Sequence, residues 1–144
     1  EIMDIIKERG GCLATGHISP EESIVLCKEG RARGVPMILT HPEFQRTKIS
    51  GEIQKELAEQ GVFIEKNWLN LVTGSVTAEE MAANIRSAGV EHVYLATDRG
   101  QQTGPSPVEE YRNFILAMLE QGFTEKELFI MTHQVPAQII HLSA

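Results

Sequence analysis

Four short apolar runs in this sequence each end on an ionisable side chain. His17 follows "CLATG", His41 follows "VPMILT", Glu65 (with Lys66 beside it) follows "VFI", and Asp98 follows "VYLAT". Two neutral imidazoles and a carboxylate suit a divalent metal such as zinc. A catalytic metal with an open position would draw the pKa of a water toward neutrality. A single histidine at a strand end is more often a hydrogen-bonding loop residue, but three such positions in register weigh toward a site. Glu65 fits a salt bridge as well as it fits a group supporting a ligand from behind. His92 opens a run at the opposite end, and His133 and His141 fall in a C-terminal helical stretch, so all three read as structural. Trp68 falls in a long loop on the same side as the ionisable ends, where it would wall a substrate pocket or pack locally.

The elements that must position these residues recur. Glycine followed by an apolar run appears as "GGCLATGH", "GVPMILTH", "GVFIEK" and "GVEHVYLATD", each short and continuous, as for strands buried on both faces. Each run precedes a segment of helical spacing, about 20–33, 50–60, 77–88 and 107–121. "SPEE" at Ser19, "TAEE" at Thr77, "SPVE" at Ser106 and "TEKE" at Thr124 read as capping boxes. Pro20 and Pro107 take the first helical position. Gly34, Gly61, Gly89 and Gly122 supply the left-handed stops. "VPAQII" starts a further helix near Pro136, and "EIMDIIKERGG" reads as the body of a helix with no N-cap before it. Strand and helix alternating at roughly 24 to 33 residues predict a parallel sheet with right-handed crossovers.

The loops are asymmetric. Helix-to-strand links are little more than the glycine, whereas three strand-to-helix links are longer, at residues 42–49, 67–76 and 99–105. Extra chain therefore lies at the C-terminal strand ends, where α/β folds carry their sites. In a flat sheet four adjacent ends would spread over roughly 15 Å, at about 4.8 Å per strand, too far for one metal. In a closed barrel inward side chains converge. Alternation then places Leu39 and Met37 inward with His41, Ala96 and Tyr94 inward with Asp98, and Thr15 and Leu13 inward with His17.

Composition bounds the function classes. The 144 residues are 42% hydrophobic and 23% charged, as in an ordinary globular domain. A formal charge of −7 with no basic stripe argues against a broad nucleic-acid surface. No apolar run reaches the roughly 20 residues of a membrane helix, and no signal peptide is visible, so a cytoplasmic location is expected. Cys12 and Cys27 read as buried thiols rather than a disulfide framework. No phosphate-cradling glycine motif follows any strand, which disfavours a nucleotide-binding doubly wound domain.

At these residues a resemblance enters. "TGHISPEE", "LTHPEF", "FIEK", "ATDRGQ" with "PSPVEEYRNFI", and "MTHQVPAQIIHL" resemble the C-terminal half of an uncharacterised metal-dependent hydrolase family in the amidohydrolase superfamily, over nearly the whole chain. The resemblance implies an α/β fold of parallel (β/α) repeats, the last four strands of a TIM-type (β/α)8 barrel, with residues 1–144 as one C-terminal half-barrel domain. It implies that His17 and His41 bind metal, and that Asp98 binds metal and accepts a proton from the attacking water. Zinc is the expected ion, with manganese or iron as alternatives. The sequence departs from the family in two places. The usual Asn-Pro-Ala ending is Val135-Pro136-Ala137 here, and the His-x-His pair of the superfamily's first strand is missing.

The expected function is metal-dependent hydrolysis of a small molecule, a metal-activated water attacking a carbonyl, amidine or phosphoryl centre, with this chain carrying part of the site. Glu65, Arg99 and Gln101 are candidates for contact with substrate, as is Glu43; loop position is the reason, and solvent exposure the alternative. Half a barrel leaves two sheet edges and an apolar interior open. The expectation is therefore a fragment of an enzyme of roughly 300 residues, or a homodimer, with the missing N-terminal half or a second copy covering the opening. The alternative function is a metal-free half-barrel serving as a binding or assembly module.

Overall fold

A computed structural model of the chain describes residues 1–142; Ser143 and Ala144, the end of the 1–144 domain expected above, lie outside the described residues. The element order is α1 (Ile2–Glu8), β1 (Leu13–Ala14), α2 (Pro20–Ala32), β2 (Met37–Leu39), α3 (Gly51–Glu59), β3 (Phe63–Asn67), α4 (Trp68–Val72), α5 (Ala78–Ala88), β4 (Val93–Ala96), α6 (Pro107–Glu120), α7 (Glu125–Phe129) and α8 (Val135–Ile139). A 3-10 turn at Val90–His92 precedes β4, and a π-helical turn at Ile130–Gln134 joins α7 to α8.

The helix ends follow side-chain chemistry. Ser19, Ser106 and Thr124 form complete capping boxes with Glu22, Glu109 and Glu127, satisfying backbone donors that the first turn leaves open. Thr77 makes only half of its box: its hydroxyl accepts from the Glu80 amide, while the Glu80 carboxylate lies 3.3 Å from Lys48 Nζ. At the other ends Gly34, Gly61 and Gly122 take φ of 74°, 83° and 83°. The amides that follow, of Val35, Val62 and Phe123, donate back to the carbonyls of Gly30, Leu57 and Met118. These are Schellman closures, and each turns the chain onto a buried apolar residue. That is why a single glycine suffices between a helix and the run that follows it.

The protein is α/β, with a four-stranded parallel sheet flanked by helices, in the order β1-β2-β3-β4. Sequential order without reversal puts right-handed crossovers on one face. Met37, Leu39, Ile64, Val93 and Leu95 are buried there against the helical layer, which adds Leu57, Met81, Ile85, Phe114 and Met118. Each such burial contributes about 1.5–3 kcal/mol. Gly30 of α2 lets β2 approach closely, since a Cβ there would lie 2.2 Å from Met37 Sδ.

The opposite face carries Ala14, Ile38, Glu65, Asn67, Tyr94 and Ala96, as the strand register requires. Part of it is covered by α8. Pro136, Ile139 and Ile140 close over Ile38 and Tyr94 around an apolar cavity of about 210 Å³. His141 Nε2, 2.9 Å from the Gly10 carbonyl, ties the end of this segment to the chain before β1. Among the described residues no helix is long and apolar enough to cross a membrane.

Two expectations are corrected here. Met37 and Leu39 face the helices, not the side to which His41 points, and Leu13 in register with Met37 does the same. Alternation fails because the chain turns left-handed at Gly16 (φ 62°) and at His41 itself (φ 49°). Trp68 opens helix α4 instead of lying in a loop, and its ring packs 5.7 Å from that of Phe114.

Candidate functional site

The site is built at the C-terminal ends of β1, β2 and β4. His17, His41 and Asp98 line one cavity of about 90 Å³, with Phe44 and Leu69 as its apolar wall. The two imidazoles stack with centroids 5.0 Å apart at 30°. His41 Nε2 lies 3.9 Å from Asp98 Oδ2, and the His41 side chain is 12% exposed against 46% for Asp98. Phe44 sits 6.2 Å from each imidazole, shielding one side from water.

Backbone conformation marks the same residues. Among the described residues the non-glycine positions with positive φ are His41 (49°), Asp98 (50°) and His141 (56°). A left-handed L-residue costs about 1–2 kcal/mol, and such strain gathers where a side chain must be aimed. Two of the three are the strand-mouth residues that face one another.

His41 and Asp98 are each followed, within two residues, by a member of an ion pair. Two residues past His41, Glu43 bonds to the ammonium of Lys66, both side chains being essentially inaccessible. Gln54 Oε1 accepts from Lys66 Nζ at 2.5 Å, while Gln54 Nε2 and Asn84 Nδ2 donate to Glu43 Oε1 at 3.3 and 3.2 Å. Burial, outweighing the Glu43 carboxylate beside it, holds the Lys66 ammonium below its ordinary value. Within the loop, Thr47 Oγ1 donates to the His41 carbonyl at 2.6 Å. One residue past Asp98, Arg99 Nε donates to Glu110 Oε1 at 3.0 Å, and Trp68 Nε1 donates to the other oxygen of the same buried carboxylate. The loops after β2 and β4 are thus pinned to β3, α4 and α6 next to the residues they present.

Behind His41 lies a second group of polar residues on the face shared by β3 and β4. Tyr94 OH donates to Glu65 Oε2 at 2.8 Å, and Asn67 Nδ2 donates to Glu65 Oε1 at 2.6 Å. The same amide nitrogen meets His41 Nδ1, and Glu65 Oε1 lies 3.6 Å from that nitrogen. Burial, with the Glu65 carboxylate adding to it, pushes the Tyr94 phenol well above its ordinary value, so it serves as a donor.

The sequence-derived residues therefore separate. His17, His41 and Asp98 come together; Glu65 lies against the Nδ1 edge of His41; Arg99 is turned to Glu110; Gln101 is exposed in the loop after β4, its carbonyl accepting from Gly104. Glu43 is 1% exposed and engaged by Lys66, so it points away from solvent. Reading the sequence missed Asn67 and Glu110, and set Tyr94 inward without giving it a role. Asn67 was within reach, since alternation sets it on the face of Glu65; Glu110 is hidden in a capping-box helix. Among the described residues no three His, Cys, Asp or Glu side chains are disposed to hold a metal ion together.

Residues 1–65 match the model of a family of unknown function, DUF6282, a span that takes in His17 and His41 and stops short of Asp98. No curated protein matches the chain. No solved structure matches it either.

Proposed function

We propose that this chain forms the last four strands of a TIM-type (β/α)8 barrel and carries part of the site of a metal-dependent hydrolase of the amidohydrolase kind. The observation that carries this reading is the pairing of His41 and Asp98: both strand-mouth residues, both left-handed, 3.9 Å apart on a cavity that His17 also lines. Support for the barrel comes from the sequential parallel order, which lacks the strand reversal of a doubly wound sheet. The outer edges of β1 and β4 would then pair with the rest of the barrel or with a second copy.

The donor chemistry fits a divalent ion, zinc first and manganese or iron next: two imidazoles and one carboxylate, His17, His41 and Asp98. A divalent ion held there would supply Lewis acidity toward water and the scissile group. The chain's own residues do the rest. Asp98, more exposed than His41, accepts the proton that the attacking water gives up. His41 is held by its loop and presents Nε2 to the cavity. Phe44 and Leu69 keep the cavity small and partly dry, which strengthens the electrostatics inside it. The substrate is a small molecule, and the cytoplasm is the proposed location.

A second reading, a metal-free binding or assembly module, is favoured by one observation. The imidazoles stack on each other, and no three donors are disposed to hold an ion together. Elemental analysis separates the two. The protein is purified without chelator, and zinc, manganese and iron are measured in wild type, His41→Ala and Asp98→Asn. Stoichiometric metal in wild type, falling at least tenfold with His41→Ala, supports the hydrolase. A wild-type protein free of metal and unable to take up added zinc or manganese leaves the binding module.

A further inference from the structure

We infer that Glu65 is a positioning residue: held by Tyr94, it orients the Asn67 amide that bonds the Nδ1 edge of His41, and so decides which nitrogen faces the cavity. The inference rests on His41 being the working residue proposed above, and it assigns Glu65 a role other than touching substrate.

The argument is geometric. Glu65 is 12% exposed, and each of its oxygens is already engaged: Oε2 by Tyr94 OH at 2.8 Å and Oε1 by Asn67 Nδ2 at 2.6 Å. A carboxylate held by two donors has little freedom to swing toward a substrate. Its Oε1 lies 3.6 Å from His41 Nδ1, with the Asn67 amide nitrogen bonded to both. Nε2, on the far edge of the ring, is thereby turned to Asp98 at 3.9 Å and to the cavity.

Register makes this arrangement possible. Glu65 pairs with Tyr94 across β3 and β4, and Asn67 stands two residues on, so all three share the face from which Nδ1 is approached. Asn67 Oδ1 is buried and without a partner, so the amide is oriented by what its nitrogen touches, namely Glu65 and His41. The ring a histidine offers a ligand or a proton depends on what holds its other nitrogen.

The test uses metal-free and zinc-loaded protein with Glu65→Ala, Glu65→Gln and Tyr94→Phe. The first readout is the pair of His41 ring nitrogen shifts by long-range proton–nitrogen NMR without metal. Wild type should show one dominant tautomer, Tyr94→Phe should keep it largely, and Glu65→Ala should move both shifts toward the averaged values of free histidine. The second readout is zinc affinity by chelator competition: zinc on Nε2 needs the ring proton on Nδ1, where Glu65 Oε1 is an acceptor 3.6 Å away, so Glu65→Gln should weaken binding about 10- to 100-fold. Thermal midpoints of Glu65→Gln and Tyr94→Phe check that the fold is kept. Ring shifts and zinc affinity indifferent to Glu65 in folded variants would overturn the inference. Absence of zinc binding in wild type would remove the hydrolase reading alone, because the ring shifts still decide what Glu65 does.

Discussion

Deleting the Lys66 ammonium tests how the His41 loop is held. Lys66→Met keeps most of the stem's volume and removes the charge. Glu43 would then retain two amide donors, at 3.3 and 3.2 Å, with Oε2 still buried and unpartnered. Breaking a buried pair from one side costs about 3–5 kcal/mol, and the two amides set this case near 3. Glu43→Leu should cost less, about 2 kcal/mol, because burial already favours the neutral amine and the stranded lysine can shed its proton. Removing both charges, Glu43→Leu with Lys66→Met, should cost no more than about 1 kcal/mol, since an apolar pair of similar volume commonly replaces a buried ion pair without loss. Urea unfolding followed through Trp68, the single tryptophan, measures all four proteins. With about 2–4 °C per kcal/mol for a domain of this size, Lys66→Met should melt roughly 6–12 °C below wild type.

The same lysine gives a pH signature. Its folded-state pKa lies below the ordinary 10.5. Between those two values the unfolded chain holds a proton that the folded chain has lost, so the unfolding free energy rises with pH across the window. Wild type should gain stability as pH climbs toward 10.5, and Lys66→Met should lack that gain. Single variants within about 1 kcal/mol of wild type, or a double variant as costly as the two singles together, would refute the reasoning.

Four further outcomes are expected. Gly30→Ala should cost about 1–2 kcal/mol despite its better helix propensity, because the new methyl meets Met37 Sδ at 2.2 Å; the cost should shrink in a Met37→Ala background, as chemical denaturation would show. Asp98→Gly should be more stable than Asp98→Ala by about 1 kcal/mol, the reverse of the order in ordinary backbone, since only glycine takes φ near 50° without strain. Glu110→Ala removes the acceptor shared by Trp68 Nε1 and Arg99 Nε; a loss of about 1–3 kcal/mol and a red shift of tryptophan emission should follow. Burial pushes the Cys27 thiol up to about 12, so iodoacetamide at neutral pH should spare it in the folded protein and label it in urea, which mass spectrometry would read.

What the sequence determined by itself was what depends on neighbours along the chain. A hydroxyl or glycine acts within one turn, so Ser19, Ser106, Gly34, Gly61 and Gly122 announced helix ends that the structure places within a residue or two. Apolar runs between those ends announced parallel strands, and the residue types at their mouths drew attention to His17, His41 and Asp98. The half-made box at Thr77 shows the limit of that logic: Glu80 had a distant partner in Lys48, which no local pattern records. The facing of β2 was misread for a related reason, since alternation holds only while the backbone stays extended, and His41 leaves it at φ 49°.

Tertiary structure alone decided what each polar group meets. Glu43 and Lys66 are 23 residues apart, Trp68 and Glu110 42, and Tyr94 and Glu65 29. Such contacts come from strand register and helix packing, and a hydrogen bond is made or lost within a fraction of an ångström. Spacing could nominate Glu65 and Arg99 as ionisable residues near a mouth. Only the folded chain could turn one against His41 and the other against Glu110, because direction is set by the backbone's left-handed turns and by buried partners on other elements.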